Sequence, residues 1–276
     1  MSDACIRCPA PSSVLLHRGV PLRRLVIRPG AIGDLVVSLP ALQCLATDYL
    51  EVWTTRRNVP LVRFASRVRP IDSTGLDLVG ITRPALPAFR EFDEIVSWYG
   101  TARADFRDAV SALPFRFLPS LPPEGAAMHA SDFYLDQVRT FTQVEIDPVP
   151  HIGCPAGPRE NFAVIHPYSG SPRKNWPFDK FRSLAERLAR LMPVRWCAGD
   201  DDPPLPEAVR FADLYDLACW LAKARLYIGN DSGITHLAAA AGTPTLAIFV
   251  STDPAVWAPR GAHVRAVTVN MKAVKG

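Results

Sequence analysis

The 276-residue chain is 48% hydrophobic and 21% charged, a composition with ample core that excludes a disordered or fibrous protein. Its formal charge of +4 suits an anionic substrate or weak attraction to an anionic lipid surface, and without a basic-aromatic stripe it gives no argument for nucleic acid. No apolar run reaches the length of a spanning helix, and Met1 to Arg24 lacks the long apolar core of a signal peptide.

Residues 1–22 read as an N-terminal extension. Arg23-Arg24-Leu25-Val26-Ile27-Arg28 then predicts a short strand and Pro29-Gly30-Ala31-Ile32-Gly33 a turn. A helix is expected from Asp34 to Thr47, on the spacing of Leu35, Ser38, Leu39, Leu42 and Leu45. Pro40 predicts a kink or a broken first turn in it. Residues 50–54 return as a strand, completing a βαβ unit. Strands are expected at 94–98 and 115–118, and helices over 102–112 and 131–144. Pro148, Pro150, Pro155 and Pro158 mark a linker between Ile146 and Arg159.

A second alternation follows. Strands are expected at 162–166, 194–198, 225–228 and 245–250, and helices at 178–192, 214–223 and 232–241. Strands alternating with helices imply parallel sheets covered on both faces. Two such series around a Pro-rich linker divide the chain into two halves, 23–150 and 151–276. Ligands in such sheets bind beyond the carboxyl ends of the strands, where the glycine turns lie.

The most informative turn is Gly229-Asn230-Asp231-Ser232-Gly233, which leads from a strand into the apolar helix containing His236. Free N–H groups and about half a positive charge from the helix dipole meet there, the makings of a phosphate site. Ser232 and Asp231 are good caps, Gly233 lets a ligand approach the backbone, and His236 adds a donor one turn in.

A second such loop is His166-Pro167-Tyr168-Ser169-Gly170-Ser171-Pro172-Arg173-Lys174-Asn175-Trp176-Pro177. There Ser169, Gly170 and Ser171 can donate to an oxyanion and Lys174 supplies positive charge. Trp176 reads as packing and His166 as structural.

The first turn, with Gly30 and Gly33, lacks G-x-G-x-x-G spacing. Its Asp34 would repel a diphosphate and is better suited to activating a hydroxyl, although a carboxylate at a helix start is ordinarily a cap. Asp200-Asp201-Asp202 has chemistry for a ribose or a metal, but no ordered ligand spacing accompanies it, and it reads as a solvated loop.

The cysteines (Cys5, Cys8, Cys44, Cys154, Cys197, Cys219) lie mostly in apolar segments, as in a reducing, cytoplasmic compartment. Cys5-x-x-Cys8 has no second pair to make a metal site.

Taken in order, three motifs resemble the heptosyltransferase-like glycosyltransferases of family 9. They are Gly33-Asp34 with Ser38-Leu39-Pro40-Ala41-Leu42; Ser169 through Pro177; and Gly229 through Gly233 with His236-Leu237-Ala238. The tail Thr252-Asp253-Pro254 with Trp257-Ala258-Pro259 is also similar to the family.

The resemblance implies a GT-B fold, two Rossmann-like α/β domains whose parallel sheets face a central cleft, with 23–150 as the acceptor-side domain and 151–276 as the donor-binding one. It implies inverting transfer of heptose or a related sugar from a nucleotide-diphosphate donor, ADP-heptose foremost, to a lipopolysaccharide-core or other lipid-linked envelope glycan, with peripheral contact at the inner membrane. Asp34 would be the general base and Lys174 would neutralise the leaving diphosphate. Asp231, Ser232, Gly233 and His236 would line the donor, and neither cofactor nor metal would be needed. The alternative is a catalytically weak homologue that binds nucleotide sugar or glycan without turnover.

Overall fold

The computed structural model describes residues 21–270; Cys5 and Cys8, with nearly all of the N-terminal extension, lie outside them. In the first half, β1 (Arg23–Arg28) leads into α1 (Ile32–Cys44), followed by β2 (Tyr49–Thr54), β3 (Arg67–Pro70), β4 (Glu94–Ser97), α2 (Ala104–Ala109), β5 (Phe115–Phe117) and α3 (Ala130–Arg139). The second half has β6 (Glu160–His166), α4 (Phe178–Leu188), β7 (Val194–Trp196), α5 (Leu214–Ala222), β8 (Ala224–Asn230), α6 (Gly233–Ala240), β9 (Thr245–Phe249), α7 (Pro254–Trp257) and β10 (Val264–Thr268).

Each half is a five-stranded parallel sheet, ordered β3-β2-β1-β4-β5 in the first and β10-β9-β8-β6-β7 in the second. The chain order reverses beside β1 in one sheet and beside β6 in the other. Those switch points open at the strand ends that carry Gly30 and Ser169.

Strand periodicity explains how the sheets are covered. In β1, Val26 faces α1 and the larger core, while Leu25 and Ile27 face Trp53, Phe89 and Phe106. In β6, Val164 joins that same larger core and Ile165 the cluster under α4. One apolar core therefore runs through both halves, with α1 packed on α6 and α3 at its centre.

Several expectations change. Helix α1 runs unbroken through Pro40. A proline in a helix interior costs about 3 kcal/mol, but Leu35 through Leu42 are all buried between α6, α3 and the sheet, and that packing outweighs the lost bond. Helices α2, α3 and α4 end earlier than their apolar spacing suggests. Strands β3 and β10 escaped the sequence reading because both are edge strands with few buried side chains, so pairing and not hydrophobic pattern makes them. Among the described residues, no helix is long and apolar enough to cross a membrane.

Candidate functional site

The turn after β1 is built around Asp34. Gly30 has φ +120°, and a Cβ there would lie 2.8 Å from the Asp34 side chain, so glycine is required. Asp34 Oδ2 accepts a hydrogen bond from the Ala31 backbone N–H at 2.8 Å, which fixes the carboxylate while leaving it half-buried at the cleft.

Beneath it lies Arg28, 2% exposed, which donates to Ser38 Oγ at 2.9 Å, to the Pro29 carbonyl at 3.3 Å and to the Asp34 carbonyl at 2.8 Å. Its guanidinium stands over the Tyr134 ring at 4.6 Å and the Trp98 ring at 5.7 Å, and no carboxylate pairs with it among the described residues. A buried cation held only by neutral groups is costly. This one secures the first turn of α1. The sequence reading passed over it, although an arginine ending a short apolar strand was the available signal.

The other half builds its site from two loops. Asn230, fully buried, accepts from the Trp176 N–H at 2.8 Å and donates to the Pro167 carbonyl at 2.7 Å, tying the 167–177 loop to the end of β8. Trp176 packs edge-on against Phe181, as a loop anchor should. The Ser169 hydroxyl serves its own loop, within 2.8 Å of the Ser171 carbonyl and 2.7 Å of Asn175 Oδ1. Gly170 and Ser171 remain on the cleft wall.

Lys174 Nζ sits 2.8 Å from Asp231 Oδ2, which also accepts from the Thr252 hydroxyl at 2.6 Å. Asp231 is 5% exposed on its side chain, and its carboxylate holds the lysine at the mouth of α6. Ser232 caps α6 through Thr235 N–H at 3.3 Å, so Gly233 and Ile234 open the helix with N–H groups that have no intrahelical acceptor. His236 is buried, 3.9 Å from Asp231 Oδ1. Burial lowers its pKa to about 4 against the pull of Asp231, so the imidazole stays neutral and brings no charge to the cavity.

The two helix starts meet. A Cβ on Gly33 would lie 3.5 Å from Gly233 Cα, and one on Gly233 would lie 2.7 Å from Ile32 Cβ and 2.9 Å from Gly33 N. This contact brings Asp34 and Lys174 to one cavity of about 380 Å³, with Gly33, Gly170, Ser171, Asp231, Ser232, Gly233 and His236 also on its wall. An adjoining lobe of about 390 Å³ shares Ala31, Gly170, Ser232 and Gly233 and extends past Asn58, His166 and Asp202.

In that second lobe the acidic loop is organised, where the sequence suggested plain solvation. Asp202 Oδ2 pairs with His166 Nε2 at 3.0 Å and accepts from the Gly199 N–H at 2.6 Å. Burial opposes ionisation of Asp202, but these bonds prevail and hold its carboxyl below the usual range. His166 Nδ1 is buried with no hydrogen-bond partner among the described residues. Arg57 reaches Asp201 at 2.9 Å across the lobe, from one half to the other. His166 and Asp202 are 36 residues apart, and only the pairing of β6 with β7 makes them neighbours. On the opposite side, His129 Nε2 meets the Ala258 carbonyl at 2.8 Å and Arg260 pairs with Asp132, again linking the halves.

Two facing parallel α/β sheets with paired glycine turns at a shared cleft define the GT-B class. The family model of glycosyltransferase family 9 (heptosyltransferase) matches residues 124–275, and the chain belongs to that family. It is 30% identical over 120 residues to lipopolysaccharide heptosyltransferase 3 of Escherichia coli, covering 38% of this chain and 35% of that protein. To lipopolysaccharide heptosyltransferase 1 of Pseudomonas aeruginosa it is 27% identical over 233 residues, 74% of this chain and 62% of that one. The matched parts thus span between about a third and two thirds of these curated relatives' length. Among solved structures, E. coli ADP-heptose lps heptosyltransferase II superposes with a TM-score of 0.69 at 16% identity, covering 91% of each chain, a likeness of fold.

Proposed function

We propose that this chain is an inverting glycosyltransferase that moves heptose or a related sugar from an ADP-linked donor to a hydroxyl of a lipopolysaccharide-core or other lipid-linked glycan. The observation carrying this reading is the Gly33–Gly233 contact, which sets the Asp34 carboxylate and the Lys174-bearing mouth of α6 on one cavity. ADP-heptose is suggested by the name of the solved E. coli relative. A lipid-linked acceptor would bring the chain to a membrane surface, which its charge of +4 favours.

In the mechanism, Asp34 takes the proton of the acceptor hydroxyl as its oxygen attacks the anomeric carbon from the face opposite the diphosphate. The anomeric C–O bond breaks and its electron pair leaves with the diphosphate. Lys174 and the free N–H groups of Gly233 and Ile234 meet that growing charge, so they stabilise the transition state more than the ground state. Asp231 orients Lys174 without neutralising it for good, because the incoming phosphate competes for the same ammonium. With these groups taking the leaving charge, transfer is expected to proceed without a divalent metal.

Calorimetry with ADP-, GDP- and UDP-sugars, followed by a transfer assay on lipopolysaccharide-core acceptors with and without chelator, tests this. The expected result is preference for the ADP donor, product of inverted anomeric configuration and no chelator effect. Lys174→Ala should weaken nucleoside diphosphate binding as well as slow transfer. Donor binding with neither transfer nor hydrolysis would instead favour a binding homologue.

A further inference from the structure

The linker between the halves passes against α5, outside the cleft. Tyr215 donates its hydroxyl hydrogen to the Gly153 carbonyl at 3.0 Å, and the Arg63 guanidinium of the first half stands over the Tyr215 ring at 4.1 Å. Cys154 follows Gly153 in the linker, and Cys219 lies one helical turn after Tyr215 on the same face of α5. The bond that ties linker to helix therefore seats the two cysteines side by side, and their thiols are in hydrogen-bonding contact. Both are half-buried, and neither lines a lobe of the cleft.

The other two described cysteines are of a different kind. Cys44 is buried and gives its S–H to the Val144 carbonyl at 3.6 Å, and Cys197 is buried in the core, where the thiol is pushed up to about 12. They serve as small hydrophobes. At the linker, burial and the neighbouring sulfur push the Cys154 thiol up to about 12 as well, so Cys154 keeps its proton and turns it towards Cys219. A thiol that donates to its neighbour favours the neighbour's thiolate, the form that attacks an oxidant. Cys219 also touches the Tyr215 hydroxyl, on a surface that water reaches.

We infer that Cys219 and Cys154 are a redox-reactive pair that a hydroperoxide closes into a disulfide, fastening the linker to α5. The Cys219 thiolate attacks the terminal oxygen of the hydroperoxide, the O–O bond breaks, and the other oxygen leaves as an alcohol after taking up a proton. Cys219 is thereby oxidised by two electrons to a sulfenic acid. Cys154 then attacks the Cys219 sulfur. The S–S bond forms, the S–O bond breaks, and the hydroxide departs as water with the Cys154 proton. Two thiols and one hydroperoxide give one disulfide, one alcohol and one water. A small-molecule thiol such as glutathione reverses the change by exchange, so the pair rests reduced in a reducing compartment and closes under oxidant.

The test uses the full chain carrying Cys5→Ser and Cys8→Ser, which leaves Cys44, Cys154, Cys197 and Cys219 as its thiols. Treated with tert-butyl hydroperoxide, it should lose two hydrogens in intact mass, and proteolysis without reductant should yield one linked peptide joining Cys154 to Cys219. The linked chain should unfold about 5–15 °C higher and return to its starting Tm with dithiothreitol. Adding Cys154→Ser should leave Cys219 as a sulfenic acid that dimedone traps, at least about tenfold faster than Cys44 or Cys197 is labelled. Adding Cys219→Ser instead should leave Cys154 unlabelled. Linkage through Cys44 or Cys197, oxidation without linkage, or a folded chain that stays unreacted while the denatured chain is oxidised overturns the inference. A linked chain with an unchanged Tm overturns the fastening of the linker.

Discussion

The two halves use the same device for opposite ends. Each places a glycine turn after a central parallel strand and opens a helix at the cleft, α1 in one and α6 in the other. At α6 the free N–H groups and Lys174 make a place for an anion. At α1 the same partial positive charge is answered by Asp34 from within, and Arg28 braces the turn from below. A helix N-terminus is thus only a donor set; the third residue of the helix decides whether it binds an anion or presents one. Facing these two ends through a pair of glycines sets a carboxylate and a cationic helix mouth on one cavity, the pair that the proposed transfer would use as base and leaving-group site.

The comparison can be broken most forcefully at Asp34. Asp34→Ala should lower kcat by about a hundred- to ten-thousand-fold while calorimetric donor affinity stays nearly unchanged. Equal loss of both would assign Asp34 to the donor side and erase the division of labour.

Next comes the neutral histidine of the α6 half. The pKa of His236, about 4 in the fold, lies below the unfolded value of about 6.5. The unfolded chain therefore binds the proton first as pH falls. The stability tied to this group is complete above about pH 6.5 and is lost progressively towards pH 4, on the order of 3 kcal/mol in all. Denaturation midpoints of the native chain and His236→Gln, measured from pH 7.5 to 4, should differ in slope within that window. Parallel curves would mean that the imidazole takes up its proton in the fold as it does in the unfolded chain.

Gly233→Ala examines the contact itself. The new methyl would sit 2.7 Å from Ile32 Cβ, and overpacking of this kind costs about 1–3 kcal/mol. A fall in Tm accompanied by a fall in kcat is expected, because separating α1 from α6 separates Asp34 from Lys174, the proposed base and leaving-group cation. An unaffected kcat would show that the cavity tolerates their separation.

The smallest effect should come from Arg57→Ala. Its pair with Asp201 is exposed and worth about 0–1 kcal/mol, so Tm should scarcely move. A large loss would make that bridge a working latch over the second lobe.

What could be read in advance follows from how local the signal is. Central strands such as β1 and β8 carry continuous apolar runs because both faces are buried, and the turns beside them declare themselves through Gly30, Gly33 and Gly233. Edge strands β3 and β10 carry no such run. The His166–Asp202 pair and the Lys174–Asp231 ion pair bring together residues far apart in sequence, and no spacing rule reports a contact made by the order of strands in a sheet. Arg28 lay between these cases: its place on a buried strand was legible, and its partners were not.

The apolar core shared by both halves has a consequence for inheritance and for engineering. Gly233 leaves no room for a side chain against Ile32 and Gly33, and Leu35, Leu237 and Tyr134 belong to one packed cluster. A donor half taken from another protein would arrive with a foreign surface against α1. Chimeras of this chain should therefore succeed only when α1 and α3 travel with α6, so that the pieces exchanged cut across the linker instead of at it. Changes of sugar or acceptor are more readily sought in the loops around the cavity, at Leu121, Trp257 and Asp201, than by trading whole halves.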